Sequence, residues 1–232
     1  VTSAIILAGG LGTRLRSAVP DLPKPLAPIS GRPFLAHQMD YWIAQGVDSF
    51  VLSVGYKKEL IVDHFGASYN SVPITYAIEH EPMGTGGGLL LAAQRMYEPF
   101  LVLNGDTFFE VDLAELRSFH DAHQSEWTFT LFRPDESGRY LGLKVAPTGK
   151  IVSFDAGNDG PDQLANGGVY LMNPSVLARS GFKPGQKLSL ENDLLPEFTA
   201  KGGSIHGIEC HGRFIDIGVP RDYLRASKVL PQ

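Results

Sequence analysis

Ser3-Ala4-Ile5-Ile6-Leu7-Ala8-Gly9-Gly10-Leu11-Gly12-Thr13-Arg14-Leu15 is the stretch that decides the fold. A continuous apolar run of strand length suits a strand buried on both faces, and a glycine-rich loop follows it at once. In an open α/β sheet, ligands sit beyond the carboxyl ends of the strands, so this loop falls where a site is expected. Its glycines let backbone N–H groups approach phosphate oxygens, and Arg14 adds a guanidinium fork that matches them. A tight turn, with glycines for geometry alone, is the competing reading. Two familiar phosphate motifs are excluded. No Gly-x4-Gly-Lys-Ser/Thr string occurs, and Leu15 stands where Gly-x-Gly-x-x-Gly needs its third glycine.

Outward from this loop, apolar runs of strand length alternate with helix-period segments. Phe34, Leu35, Met39, Trp42 and Ile43, spaced mostly three or four apart, predict a helix over 34–45. Strands are expected at 50–54, 74–78, 100–103 and 127–132, with helices at 57–65, 88–97 and 113–123. The alternation implies a Rossmann-like, three-layer α/β fold with a mainly parallel central sheet. Past residue 135, short strand candidates at 142–145, 151–154 and 168–172 lie between turns rich in Gly, Pro, Asn and Asp. They read as a small β-rich elaboration that walls in a substrate. A helix over 220–228, with Pro220 in its first turn, closes the chain. The expectation is one domain, 1–232, with a core at 1–135 and the β-rich elaboration and closing helix at 136–232.

Hydrophobic residues make up 43% of the 232 positions and charged residues 19%, a balance that can fill a large core. Lysine and arginine number 20 against 25 acidic residues, a formal charge of −5. A mildly acidic chain without a basic run is unsuited to counterion-release binding of nucleic acid, so phosphate chemistry here rests on a few placed cations. Cys210 is the only cysteine, which excludes an internal disulfide and a cysteine-built zinc site and fits a reducing compartment. The first apolar run has no basic leader and is too short for a membrane span or signal core. The chain reads as soluble and cytoplasmic, engaging neither nucleic acid nor membrane. No helix face specifies a dimer seam, which leaves a homo-oligomer open.

Pro23-Lys24-Pro25-Leu26 restricts the backbone on both sides of one lysine, a way to hold an ammonium against developing phosphoryl charge. A rigid surface turn is the alternative. Leu101-Val102-Leu103-Asn104-Gly105-Asp106 ends an apolar run on an aspartate, and Phe214-Ile215-Asp216-Ile217-Gly218 does so again. Two such oxygen donors suit Mg²⁺; turn capping is the alternative for each. Glu79-His80-Glu81-Pro82-Met83-Gly84-Thr85-Gly86-Gly87-Gly88 follows a strand and opens a helix. The histidines are scattered, and no Ser–His–Asp or Cys–His set stands out.

Taken together, Ala8-Gly9-Gly10-Leu11-Gly12-Thr13-Arg14-Leu15 and Pro23-Lys24-Pro25-Leu26-Ala27-Pro28-Ile29 resemble the sugar-1-phosphate nucleotidyltransferase family, and the resemblance covers nearly the whole chain. It implies transfer of a nucleoside monophosphate from an NTP to a sugar 1-phosphate, with release of pyrophosphate. It assigns Leu7, Gly9, Gly10, Gly12 and Thr13 to the nucleotide, Arg14 and Lys24 to catalysis, and Asp106 and Asp216 to Mg²⁺. Glu79, Gly84 and Thr85 fall in the base-recognition segment. A carboxylate at Glu79 could accept from both N1–H and the 2-amino group of guanine, which favours GTP; a solvated strand-end acid is the alternative.

For the sugar, the matching positions are Gly142, Asn166-Gly167-Gly168 and Glu191. The chain departs from the family where many members carry a second lysine for the sugar phosphate. Asp155-Ala156-Gly157-Asn158 stands there, leaving Arg133, Arg139 or Lys144 as substitutes. Arg32-Pro33-Phe34-Leu35, Ser53-Val54-Gly55-Tyr56-Lys57 and the segment 214–220 resemble the subgroup of D-glycero-α-D-manno-heptose 1-phosphate guanylyltransferases. Two alternatives stay open: hexose or N-acetylmuramate 1-phosphate with UTP or dTTP, and a non-catalytic nucleotide-sugar sensor.

Overall fold

The structure is a computed structural model that describes residues 2–134, 140, 142–154 and 163–231. Its first strand, β1 (Ser3–Leu7), shows why the sheet is covered on both sides. Ala4 and Ile6 enter one hydrophobic cluster and Ile5 enters the other, as the period-two alternation of a strand requires. The chain then runs through α1 (Phe34–Ala44), β2 (Ser49–Val54), α2 (Lys58–Phe65), β3 (Val72–Ile78), α3 (Gly84–Ala92), β4 (Phe100–Asn104), β5 (Thr107–Phe109), α4 (Leu113–Ala122) and β6 (Trp127–Phe132). After it come β7 (Gly142–Val145), β8 (Ile151–Ser153), β9 (Leu164–Met172), α5 (Pro174–Ser180), α6 (Leu195–Ala200), β10 (Ile205–Glu209), β11 (Phe214–Asp216) and α7 (Pro220–Val229).

β1, β2 and β3 pair in parallel in that order, and β4 pairs in parallel with the opposite side of β1. The strand order therefore reverses beside β1, and the crevice at such a switch point is where α/β sheets bind ligands. α1 and α2 pack on the face carrying Met39, Trp42, Ile61 and Phe65, and α3 packs on the other, with Leu89 and Leu90. Burying a side chain of this size contributes about 1.5–3 kcal/mol, so the two faces dominate the stability of the fold. α7, Phe108 and Ile215 form a third, smaller cluster.

β9 joins this sheet rather than sitting outside it. It runs antiparallel to β4 along Val169–Met172, to β7 at Leu164–Ala165 and to β6 on its other edge. β10 extends the sheet by pairing in parallel with β6. Two expectations of sequence period are corrected. The helix expected at 88–97 begins at Gly84 and ends at Ala92, followed by one tight turn at Ala93–Arg95. Low glycine propensity hides its start, which tertiary packing overrides. The strand expected at 168–172 begins at Leu164, because a register shift between Asn166 and Tyr170 breaks its pattern. β5, β10, α5 and α6 had no legible period at all.

Candidate active site

The carboxyl ends of β1 and β4 open into a cleft of about 320 Å³, lined by Leu7–Leu11, Lys24, Pro25, Glu79, Pro82, Gly84, Thr85, Gly88 and Asn104–Asp106. Beside the glycine loop, Gly105 N–H donates to the Leu7 carbonyl, tying the aspartate turn to that loop. Lys24 Nζ lies 2.7 Å from Asp106 Oδ2 and is 12% exposed. Pro23 and Pro25 flank it in the single helical turn Lys24–Leu26, and Gly12, in the left-handed conformation, lies against its side chain. Arg14 is exposed, with its guanidinium beside Gly218.

β11 brings Asp216 to Asp106. Asp216 stands opposite Thr107 in the β5–β11 pair, and Ile217 N–H donates to the Asp106 carbonyl at 2.9 Å. Burial and the nearby Asp106 charge push the Asp216 carboxyl above its usual range, against the Gly218 N–H bond and the Lys24 and Arg14 charges. Two aspartates distant in sequence thus share one electrostatic environment.

The Glu79 side of the cleft is different in character. Glu79 is 8% exposed, which overturns the reading of it as a solvated strand-end acid. Ser53 Oγ donates to its Oε1 at 3.0 Å and Met83 N–H to its Oε2 at 3.1 Å. A Cβ at Gly9 would come within 2.1 Å of Glu79 Oε1, so the glycine loop lies directly on this carboxylate. The first turn of α3 packs against a distant segment: Gly86 and Gly87 N–H groups donate to the Leu188 carbonyl, and Leu188 N–H donates to the Met83 carbonyl. Side chains at Gly84, Gly86 or Gly87 would collide with residues 186–190. The run of glycines is thereby accounted for by contacts within the chain. Thr85 Oγ1 accepts from Leu190 N–H and donates to Glu191 Oε2.

The other sugar candidates fall beside the aspartate turn. Asn166 donates to the hydroxyl of the fully buried Tyr170 and accepts from Gly168 N–H, while Gly168 abuts Asn104 and Thr107. Gly142 is buried on β7 opposite Ala165. Glu191 is exposed and outside the cleft lining. Of the lysine substitutes, Arg133 forks onto Glu209 at 2.6 and 3.0 Å, and Lys144 is exposed on β7. Arg139 and the segment 155–158 lie outside the described residues.

Sequence reasoning missed Gln38, Ser53, Asn104 and Tyr170. Gln38 had a signal, a polar residue four positions after Phe34 and four before Trp42 on the apolar stripe of α1. Cys210 gives no nucleophile, since burial pushes its thiol up to about 12.

The sequence profile of the nucleotidyl transferase family matches residues 3–232. The chain belongs to this family. It is 40% identical to a D-glycero-alpha-D-manno-heptose 1-phosphate guanylyltransferase of Aneurinibacillus thermoaerophilus, over 98% of this chain and 97% of that protein. It is 36% identical to a mannose-1-phosphate guanyltransferase of Schizosaccharomyces pombe, covering 97% of this chain and 63% of the relative. The crystal structure of HddC from Yersinia pseudotuberculosis, complexed with GMP-PN, superposes with a TM-score of 0.84 at 33% identity, covering 98% of this chain and 99% of that one.

The chain is accordingly a nucleotidyltransferase enzyme with the Rossmann-like fold of its relatives. Nucleotidyltransferases of this family generally use a divalent metal, and the donor set here fits one. Asp106 and Asp216 supply hard oxygen donors whose mutual repulsion a cation relieves. Among the described residues no group of three or more His, Cys, Asp or Glu side chains could hold an ion, so water and substrate phosphate would complete the shell. Among them, too, no helix is long and apolar enough to cross a membrane.

Proposed function

We propose that this nucleotidyltransferase joins GMP, from GTP, to D-glycero-α-D-manno-heptose 1-phosphate and releases pyrophosphate. The observation that carries the proposal is the buried Glu79 carboxylate, held in the cleft by Ser53 and Met83, together with 40% identity to a heptose 1-phosphate guanylyltransferase along both chains. Each carboxylate oxygen has lone-pair capacity beyond its one intrachain bond, enough to accept from guanine N1–H and the 2-amino group. Uracil and thymine offer one donor between two carbonyl acceptors, a poorer match. The solved relative complexed with GMP-PN supports a guanine nucleotide in this cleft.

The nucleophile is a sugar-phosphate oxygen, already an anion, so positioning and electrostatics can carry the reaction without a general base. Backbone N–H groups of Gly9–Thr13 and the Arg14 guanidinium hold the triphosphate. Lys24 leaves Asp106 and neutralises charge at the reacting phosphates. Asp106 and Asp216 would hold Mg²⁺, which would supply positive charge to offset phosphate repulsion. Asn166, Gly168, Gly142 and Glu191 enclose the sugar.

Mannose 1-phosphate is the second reading, supported by the 36% identity to the yeast enzyme. Pyrophosphate release with Mg²⁺, over a grid of four NTPs and several sugar 1-phosphates, decides. The expected result is GTP with heptose 1-phosphate; GTP with mannose 1-phosphate keeps the base assignment and discards the sugar. Release only with UTP or dTTP overturns the Glu79 argument. Silence from folded protein that still binds nucleotide returns the reading to a sensor.

A further inference from the structure

Gln38 lies on α1 and is 2% exposed; of the other buried side chains of that helix only His37 is polar. Its Nε2 donates to the Asn104 carbonyl at 2.9 Å and to the Thr107 carbonyl as well. Those two carbonyls bracket Gly105 and Asp106. An amide oxygen in that place would face two acceptors, so the NH₂ orientation is the only one the chemistry allows. The arrangement leaves Gln38 Oε1 and Thr107 Oγ1 buried with no hydrogen-bond partner among the described residues.

The turn it grips is tied at two further points, by Gly105 N–H to the Leu7 carbonyl and by Ile217 N–H to the Asp106 carbonyl. Gln38 supplies the third tie, from the helix layer. The preceding residue does the matching task for the lysine. His37 Nε2 donates to the Ile29 carbonyl at 3.1 Å, and Phe34 N–H donates to Ala27, fixing the segment that carries Lys24. Adjacent residues of one helix thus tie both the Lys24 segment and the Asp106 turn.

We propose that Gln38 is a positioning residue of the metal site, clamping the Asn104–Thr107 turn so that the Asp106 carboxylate is held in register with Asp216 and Lys24. It touches neither substrate nor ion, and it acts through the backbone on either side of a ligand, as outer-shell groups do. The proposal rests on the reading of Asp106 as a metal ligand.

The test measures GTP binding by calorimetry with Mg²⁺ and again with EDTA, without sugar phosphate, so that no turnover occurs. The ratio of the two dissociation constants reports how far the metal, held by the protein, tightens the nucleotide. In Gln38→Met this ratio falls about tenfold, the lower end of what outer-shell changes cost a metal site, while GTP binding in EDTA and the circular dichroism spectrum match wild type. If Q38M does not fold, the near-isosteric Q38E, which turns an acceptor toward the two carbonyls, carries the same measurement with the same expected fall. A folded variant whose ratio stays within twofold of wild type overturns the proposal. Asp106→Asn in the same titration separates the two layers. If D106N loses the Mg²⁺ effect and the Gln38 variant keeps it, only the role of Gln38 falls; if D106N keeps it, the metal assignment falls and takes this inference with it.

Discussion

Glu79 has both carboxylate oxygens engaged by the chain itself, whereas the charge of Asp106 bears on Asp216 and, among the described residues, Lys24 ion-pairs with only the first of them. The base wall of the cleft is closed by hydrogen bonds running from Ser53 through Glu79 and Met83 to Leu188. The wall proposed for the phosphates gathers two acids, one lysine and one exposed arginine, two charges of each sign, of which Lys24 and Asp106 form an ion pair. The difference teaches where selectivity and rate reside. A wall that is already satisfied has a fixed shape and can discriminate between bases, because little reorganises when one binds. On the proposed function, a wall of charged side chains is completed by a polyphosphate and a cation, and it is there that transition-state charge develops.

The sharpest way to break this contrast is D106N. Turnover measured by pyrophosphate release should fall about 10³-fold, the equivalent of roughly 4 kcal/mol, with GTP binding in EDTA retained. Full activity with Mg²⁺ would show that the phosphate wall does not work through this carboxylate. On the base wall, E79Q should leave turnover with GTP within an order of magnitude but reduce the GTP-to-UTP preference in kcat/KM about tenfold, as one altered polar contact does. An unchanged preference would remove Glu79 from base selection.

The smallest expected effect is on metal-free stability. The Asp216 carboxyl is raised in the folded state, so its contribution is fully present below the unfolded carboxylate range and is lost as pH rises through the folded value. D216N should therefore melt a few degrees above wild type in EDTA at neutral pH, with the advantage vanishing in acid. Equal melting of the two proteins at neutral pH would mean that the acidic pair carries no strain.

The opening segment of the sequence announced both its strand and its loop, since a buried strand needs a continuous apolar run and a phosphate loop needs glycine. The two aspartates could be named singly from their positions at the ends of apolar runs. That they meet depends on β11 pairing with β5, a contact between residues 107–109 and 214–216 that no local period encodes. The start of α3 was hidden for the same reason, because its glycines make sense only against residues 186–190. Gln38 was visible as an oddity in an amphipathic stripe, but its partners lie 66 and 69 positions away. Local chemistry wrote the loops, and long-range pairing assembled them.

The dependence of α3 on Leu188, and of the Asp106 turn on Ile217, bears on how the protein comes off the ribosome. Domains begin to form from their N-terminal side during synthesis. A nascent chain exposed only as far as β6 already carries the glycine loop, Lys24, Glu79 and Asp106. It still lacks the carbonyl that caps the base-side helix and the strand that brings the second aspartate. The cleft is thus sealed late in translation, by the last quarter of the chain, and a truncated product would be left with phosphate-binding parts but no finished site.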